Sequence, residues 1–147
     1  PAINQNSTQM AVRYTYGGKQ YYQIYNLAKG RFINPRNPVK RICLSATSGD
    51  FQGFDLYGTS IYTIEGSPRK SFLLGYDRSR RYQPTKIRRY NYAVRSKKTI
   101  TVRGAKTLSF REPEGIKVLA GGQIYMMYVS NTLTNQSCNI YRVKRKI

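Results

Sequence analysis

The chain of 147 residues has no histidine and only two cysteines. Histidine is the usual general base at neutral pH and the commonest metal ligand, so its absence argues against most acid–base and metal-dependent enzymes. Two cysteines without histidine cannot complete a four-ligand zinc site. The sequence therefore predicts a protein that is not an enzyme, with no catalytic residues, no metal and no cofactor.

Acidic residues are also scarce. Six Asp and Glu oppose 26 Lys and Arg, which gives a formal net charge of +20. Such an excess makes a folded surface repel itself and attract polyanions. Mixed charges would keep the surface soluble without this imbalance, so a polyanionic partner is expected. Nucleic acid is the commonest such partner, and an acidic protein or a heparin-like glycan stays open at this point.

Three smaller features narrow the class further. No apolar run approaches about 18 residues, so no membrane span is expected. Cys43 and Cys138 are far apart in apolar sequence, which favours buried free thiols over a disulfide. Glu112 and Glu114 flank Pro113, a pattern that predicts a polar turn rather than a pair of catalytic carboxylates.

Alternation with a period of two is the dominant pattern. The segment "MAVRYTY" places Met10, Val12, Tyr14 and Tyr16 on one face and Arg13 and Thr15 on the other. The strand candidates are "MAVRYTY", "QYYQIYNL", "RICLSA", "FDLYGTSIYTIE", "SFLLGYD", "KTITVRG", "AKTLSF", "QIYMMYV" and "NIYRVKRKI". Turns rich in Gly, Pro and Asn separate them, and no segment predicts a long amphipathic helix. One all-β domain over residues 1–147, a β-sandwich or barrel, is expected.

Two strand candidates near the end of the chain carry more specific information. "QIYMMYV" is apolar on both faces, which predicts a central strand of a stacked sheet or a strand at an interface. In "YRVKRKI", the apolar residues Tyr141, Val143 and Ile147 alternate with the cations Arg142, Lys144 and Lys146. One face of this final strand is expected to meet the core while the other presents three cations.

The densest charge lies in residues 76–98, which hold nine Lys or Arg, four Tyr and one acid. Single-stranded nucleic acid is bound in this way, with cations along its backbone and aromatic rings under its bases. No RNP-type, GXXG or helix–turn–helix motif accompanies the stretch, so binding without sequence specificity is expected. The residues predicted to bind are Arg78, Arg80, Arg81, Tyr82, Lys86, Arg88, Arg89, Arg95, Lys97 and Lys98, together with Arg142, Lys144 and Lys146. Tyr90 and Tyr92 are equally compatible with packing in the core.

The order of these segments resembles a known family. "SFLLGYDR" followed by "YQPT" resembles the "LVYDR…P" segment of capsid proteins from small circular single-stranded DNA viruses. "YAVRSKKTITVRGAKTLSF" resembles their arginine-rich strand pair, and "GGQIYMMYVSNTLTNQSCNIYRVKRKI" is similar to their last two strands. The resemblance covers residues 71–147. It implies a single jelly-roll β-sandwich of about eight strands.

The same resemblance implies a function and a location. It implies a coat subunit that assembles with itself into a closed shell around nucleic acid, in the virion, with assembly in the host nucleus. About 60 copies, as in the simplest shells of this kind, would bring about 1,200 positive charges, enough for on the order of a kilobase of single strand. The family usually begins with an arginine-rich arm, whereas the first cation here is Arg13. Either such an arm is absent from this chain or the internal clusters perform its task.

Two other hypotheses remain open on the sequence. One is a monomeric, OB-like β-barrel that coats single-stranded nucleic acid. The other is a basic linker protein within an acidic light-harvesting assembly. Assembly separates the three, because a coat subunit forms large closed particles, a single-strand binder stays small, and a linker needs its acidic host. The sequence does not distinguish DNA from RNA as the partner.

Overall fold

The fold is seen in a computed structural model that describes residues 1–28, 33–45, 50–66, 84–105, 107–108, 111–131, 136–145 and 147. Within these ranges the chain forms eleven β-strands and a 3-10 turn at Ala120–Gly122. The strands are β1 (Ala2–Ile3), β2 (Gln9–Tyr16), β3 (Lys19–Asn26), β4 (Lys40–Leu44), β5 (Phe51–Tyr57), β6 (Ser60–Glu65), β7 (Thr85–Asn91), β8 (Ser96–Val102), β9 (Glu112–Leu119), β10 (Gln123–Asn131) and β11 (Gln136–Arg142). The prediction of an all-β fold is confirmed.

The strands form three antiparallel sheets, which we call the N-terminal sheet (β1–β2–β3–β4), the middle sheet (β5–β6–β7–β8) and the C-terminal sheet (β11–β10–β9). As predicted for "QIYMMYV", β10 is the central strand of its sheet. Every ladder within the described ranges joins strands that are consecutive in the chain. A jelly roll also pairs strands that are distant in sequence, so the β-sandwich architecture is supported while the jelly-roll order stays a prediction.

The middle sheet is covered on both faces by hydrophobic cores. On one face, Ile64 and Ile87 pack with Ile124 and Tyr128 of the C-terminal sheet. On the other face, Leu56 and Ile61 pack with the N-terminal sheet through side chains that include Tyr22, Ile24 and Ile42. All residues of β6 are consequently buried, because Tyr62 and Ile64 pack in the core on one face and Ile61 packs in the core on the other.

Asp55 joins the middle sheet to the C-terminal sheet at their neighbouring strands β5 and β9. Its Oδ2 accepts a hydrogen bond from the backbone N–H of Val118 at 2.7 Å, and its Oδ1 lies 3.1 Å from Lys117 Nζ. A buried carboxylate with both a backbone donor and a cation is well satisfied, so it fixes the approach of the two sheets.

The alternation predicted in β2 is present, but its apolar face is the one that points away from the core. Ala11 is fully buried, whereas Tyr16 is 75% exposed. Arg13 lies on the inward face, where its guanidinium carbon is 3.6 Å from the centre of the Phe51 ring. This cation–π contact accounts for a basic residue between two sheets.

Several expectations about local structure are wrong. Glu112, Pro113 and Glu114 lie in β9 rather than in a turn. A strand tolerates Pro113 there because β9 is at the edge of its sheet and its pairing with β10 shifts register next to Pro113. Neither β7 nor β9 was among the strand candidates. "FDLYGTSIYTIE" forms the hairpin β5–β6, and "SFLLGYD" lies outside the described residues.

The predicted burial of the two cysteines is also wrong, because both are exposed. Cys43 is paired across the sheet with Tyr21, and Cys138 is paired with Val129, on faces that point away from the cores. The final strand ends at Arg142 rather than continuing to residue 147. Val143 follows it as a buried residue whose N–H donates to the carbonyl of Ile124 at 2.9 Å.

In the part of the chain that the structure describes, no helix has the length and apolar character needed to cross a membrane.

Candidate nucleic-acid interface

Six of the predicted binding residues lie in the antiparallel pair β7–β8 or in the turn between the two strands. Cross-strand partners lie on the same face of a sheet, and Arg89 is directly opposite Lys98 while Tyr90 is opposite Lys97. Arg89 and Lys98 share the face of Ile87, which packs toward the C-terminal sheet, and Lys97 lies on the opposite face. The predicted cluster is therefore divided between two faces, a division that the residue types alone did not reveal.

A cleft between the N-terminal sheet and β7–β8 is lined by four of these cations, of which Arg88 and Lys97 have their side chains on the face toward the N-terminal sheet. It has an empty volume of about 530 Å³. Gln20, Leu44 and Ser45 line it from the N-terminal sheet side. Arg88, Arg89, Lys97 and Lys98 line it from β7 and β8. We call this feature the basic cleft.

Arg88 has a structural partner inside the protein. Its Nε lies 3.1 Å from Oε1 of Glu65, a residue whose side chain is 1% exposed. Burial raises the pKa of Glu65, and the positive charge of Arg88 opposes that rise. Arg88 therefore stabilises the buried carboxylate of Glu65, a contact that could not be predicted from the sequence.

The sequence was compatible with two roles for Tyr90 and Tyr92, base stacking and core packing, and both residues pack against the core. Tyr90 and Tyr92 contact the hydrophobic cluster shared by the N-terminal and middle sheets. The Tyr92 hydroxyl lies within hydrogen-bonding distance of the carbonyl of Gly58, at 3.3 Å. Lys97 Nζ lies 6.0 Å from the centre of the Tyr90 ring, so this cation covers the tyrosine from outside.

The remaining predicted residues are spread more widely. Lys86 is half-buried in β7, and Arg95 is exposed in the turn between β7 and β8, where its backbone φ is 52°. Arg142 ends β11 opposite Tyr125, and Lys144 is exposed just beyond it, so both belong to the C-terminal sheet side and do not line the basic cleft. Arg78, Arg80, Arg81, Tyr82 and Lys146 lie outside the described residues.

A second exposed surface combines aromatic rings with cations, on the outer face of the N-terminal sheet. Tyr14 and Tyr21 are cross-strand partners whose rings are stacked, with centroids 5.2 Å apart and an interplanar angle of 11°. Lys19 and Arg41 lie on the same face. The alternation in "MAVRYTY" indicated which residues share a face, but not that this face is exposed.

The described residues contain no group of three or more His, Cys, Asp or Glu side chains placed to hold a metal ion. No family model, curated protein or solved structure matches the chain. The resemblance of residues 71–147 to coat proteins, and the function it implies, stay predictions.

Proposed function

We propose that this protein is a coat subunit that binds the backbone of nucleic acid without sequence specificity, through the basic cleft, and assembles with copies of itself. The observation that carries the proposal is that Arg88 and Lys97 lie diagonally across β7 and β8 on the face that lines the basic cleft. Diagonal neighbours on one face of a sheet are about 7 to 8 Å apart, so these like charges repel each other. A phosphate bound between them replaces that repulsion by charge-assisted hydrogen bonds.

The overall charge supports the same partner. Two of the six acids are already engaged, Asp55 with Lys117 and Glu65 with Arg88. The other four cannot neutralise the excess of Lys and Arg. Binding a polyanion would release its condensed counterions and relieve the self-repulsion of the protein, so affinity should fall steeply as salt rises.

The outer face of the C-terminal sheet supports contact between copies. Ile140 is 71% exposed and Leu119 is 46% exposed. They line one shallow apolar depression together with Tyr125 and Met127. β11 is also an edge strand of its sheet, and an exposed edge with an apolar face is prone to pair with another chain. The net charge opposes such contact until nucleic acid neutralises it, so assembly should require nucleic acid.

The test of nucleic-acid binding is a salt titration on single-stranded oligonucleotides with Lys97→Gln. Loss of one backbone contact should lower affinity and reduce the slope of log K against log salt by about 0.7. Arg36→Gln is the control, because it removes one exposed cation from a loop of the N-terminal half outside the basic cleft. Equal slopes for Lys97→Gln and wild type would exclude the cleft as the binding surface.

One observation leaves a second candidate open, the monomeric domain that coats single strands. All described ladders join consecutive strands, which is not the order of a jelly roll, although the described strands form three separate sheets rather than the closed barrel expected for this candidate. Light scattering of the protein with nucleic acid separates the two. A coat subunit forms particles far above the 17.0 kDa of the chain, whereas the second candidate gives the mass of one chain for each oligonucleotide site.

A further inference from the structure

The outer face of the N-terminal sheet is built from three cross-strand rows. The middle row is Tyr14–Tyr21–Cys43. The row on one side is Tyr16–Lys19, and the row on the other side is Val12–Gln23–Arg41. Rows on one face are two residues apart, which is about 7 Å along a strand. A row with a cation therefore lies on each side of the stacked tyrosine pair, with Lys19 next to Tyr21 in β3 and Arg41 one strand further away, in β4.

Among the described strands, none pairs with β2 at Tyr14 on the side away from Tyr21. β1 pairs with β2 only through Ala11 and Met10, so β2 has no neighbour on that side beyond Ala11 among the described residues. Tyr14 is 39% exposed at this edge, and Tyr16 is 75% exposed. A further planar ring can thus extend the Tyr21–Tyr14 stack without displacing any of the described strands.

These rings contrast with the tyrosines of the basic stretch. Tyr90 and Tyr92 are packed against the core, so they can stack on a base only by leaving it. Tyr14 and Tyr16 have no such role. A side-chain hydrogen bond with Cys43 raises the pKa of Tyr21 above its ordinary value of 10.0.

The charge around the face selects for an anionic ligand. Residues 1–49 contain no Asp or Glu. Their cations are Arg13, Lys19, Lys29, Arg31, Arg36, Lys40 and Arg41. Planar rings between cations, on a surface without acids, match unpaired bases joined by phosphates. A duplex presents its phosphates but hides the faces of its bases.

We propose that the outer face of the N-terminal sheet is a base-stacking platform for single-stranded nucleic acid, with bases on Tyr14 and Tyr16 and phosphates on Lys19 and Arg41. This inference rests on the proposed function and adds selectivity for single strands to it. The basic cleft supplies affinity for any phosphate backbone. The platform supplies the preference for unpaired bases.

The first test compares Tyr14→Val with Tyr14→Phe. Three probes are used: oligo(dT), an abasic oligomer of the same length and a duplex of the same length. Tyr14→Val removes the ring and should weaken oligo(dT) binding about tenfold, with an unchanged salt slope and unchanged affinity for the other two probes. Tyr14→Phe keeps the ring and should bind like wild type. Tyr16→Val repeats the test at a more exposed position, in case Tyr14→Val fails to fold.

The two exposed cysteines provide a second test within one molecule. Cys43 lies in the row of the tyrosine stack, whereas Cys138 lies on the C-terminal sheet. Saturating oligo(dT) should slow alkylation of Cys43 by iodoacetamide, measured by mass spectrometry, more than the abasic oligomer does. Any protection of Cys138 comes from assembly on the C-terminal sheet and should be the same with both probes. Equal protection of Cys43 by both probes would overturn the platform.

The two proposals can fail separately. If wild type binds oligo(dT) and the abasic oligomer with equal, salt-dependent affinity, and both Val variants are unchanged, the platform is wrong and the proposed function stands. If wild type shows no salt-dependent binding to any of the three probes, both proposals are wrong.

Discussion

Arg88 forms an ion pair with Glu65 at 3.1 Å, although the two residues lie on different strands and are not cross-strand partners. Thr63, which is the partner of Arg88 in the ladder, also lies within hydrogen-bonding distance of Glu65 Oε1, at 3.3 Å. Glu65 is buried between the N-terminal and middle sheets, and both contacts offset part of the cost of burying its charge. Arg88 is therefore a core residue as well as a residue of the basic cleft.

We expect Arg88→Met to lower the free energy of unfolding by about 2 to 4 kcal/mol, because it leaves the charge of Glu65 buried without its cation. Adding Glu65→Gln to that variant should recover part of the loss, since no buried charge then remains. Urea unfolding followed by circular dichroism measures both. If the double variant is less stable than Arg88→Met alone, Glu65 is stabilised by something other than this pair.

Stability should also respond to pH through Glu65. Burial raises its pKa above the ordinary 4.5, so folding favours the protonated form. Its contribution to stability is then complete below about 4.5 and is lost as the pH rises through the folded-state value. As the pH rises from mildly acid to neutral, the free energy of unfolding of wild type should therefore fall relative to that of Glu65→Gln. Glu114→Gln, which removes an exposed carboxylate, is the charge-matched control, and a difference that moves in favour of wild type would contradict the assignment.

Tyr128→Phe tests the polar contacts inside the core between the middle and C-terminal sheets. The Tyr128 hydroxyl accepts a hydrogen bond from Arg111 Nη2 at 2.6 Å and donates to Thr85 Oγ1 at 2.8 Å. Removing it should lower the free energy of unfolding by about 1 to 3 kcal/mol, because buried polar groups lose a partner. Tyr125→Phe, on the opposite face of the same strand, should change it by less than about 0.5 kcal/mol. Equal effects would mean that the buried hydroxyl is not the cause.

Assembly is tested by Ile140→Gln, measured as particle mass by light scattering in the presence of nucleic acid. If the outer face of the C-terminal sheet joins copies, this change should shift the mass from large particles toward that of single chains, since it removes exposed apolar surface from the contact. Val94→Gln is the matched control, because Val94 is 70% exposed but lies in the turn between β7 and β8. Particles of equal mass from both variants would place the contact elsewhere.

Much of the fold could be predicted from alternation alone. Strands such as β2 and β8 have a period of two, whereas β3 and β10 are short runs rich in aromatic or apolar residues, and all four segments were predicted within a few residues. β7 was not predicted as a strand because Lys86, Arg88 and Arg89 are typical of an exposed segment, although β7 pairs with β6 on one side and β8 on the other. Alternation shows which residues share a face, but not which face the next layer covers, so the exposure of Tyr14 and of Cys43 could not be predicted.

The candidate site was only partly predictable for a related reason. Sequence order grouped Arg89 with Arg88, but neighbouring residues of a strand point to opposite faces, so the ladder separates them. The ion-pair partner of Arg88 is Glu65, which is distant in sequence and belongs to no distinctive motif. The platform of tyrosines depends on cross-strand register between β2 and β3, and composition does not determine register.

The complete burial of β6 has a consequence for how the protein comes apart. Each face of this strand belongs to a different core, so a fluctuation that detaches β6 breaks both cores together. The two cores then behave as one cooperative unit, with a single melting transition. The amides of β6 should be the last in the domain to exchange their hydrogens with solvent, because no partial opening exposes them.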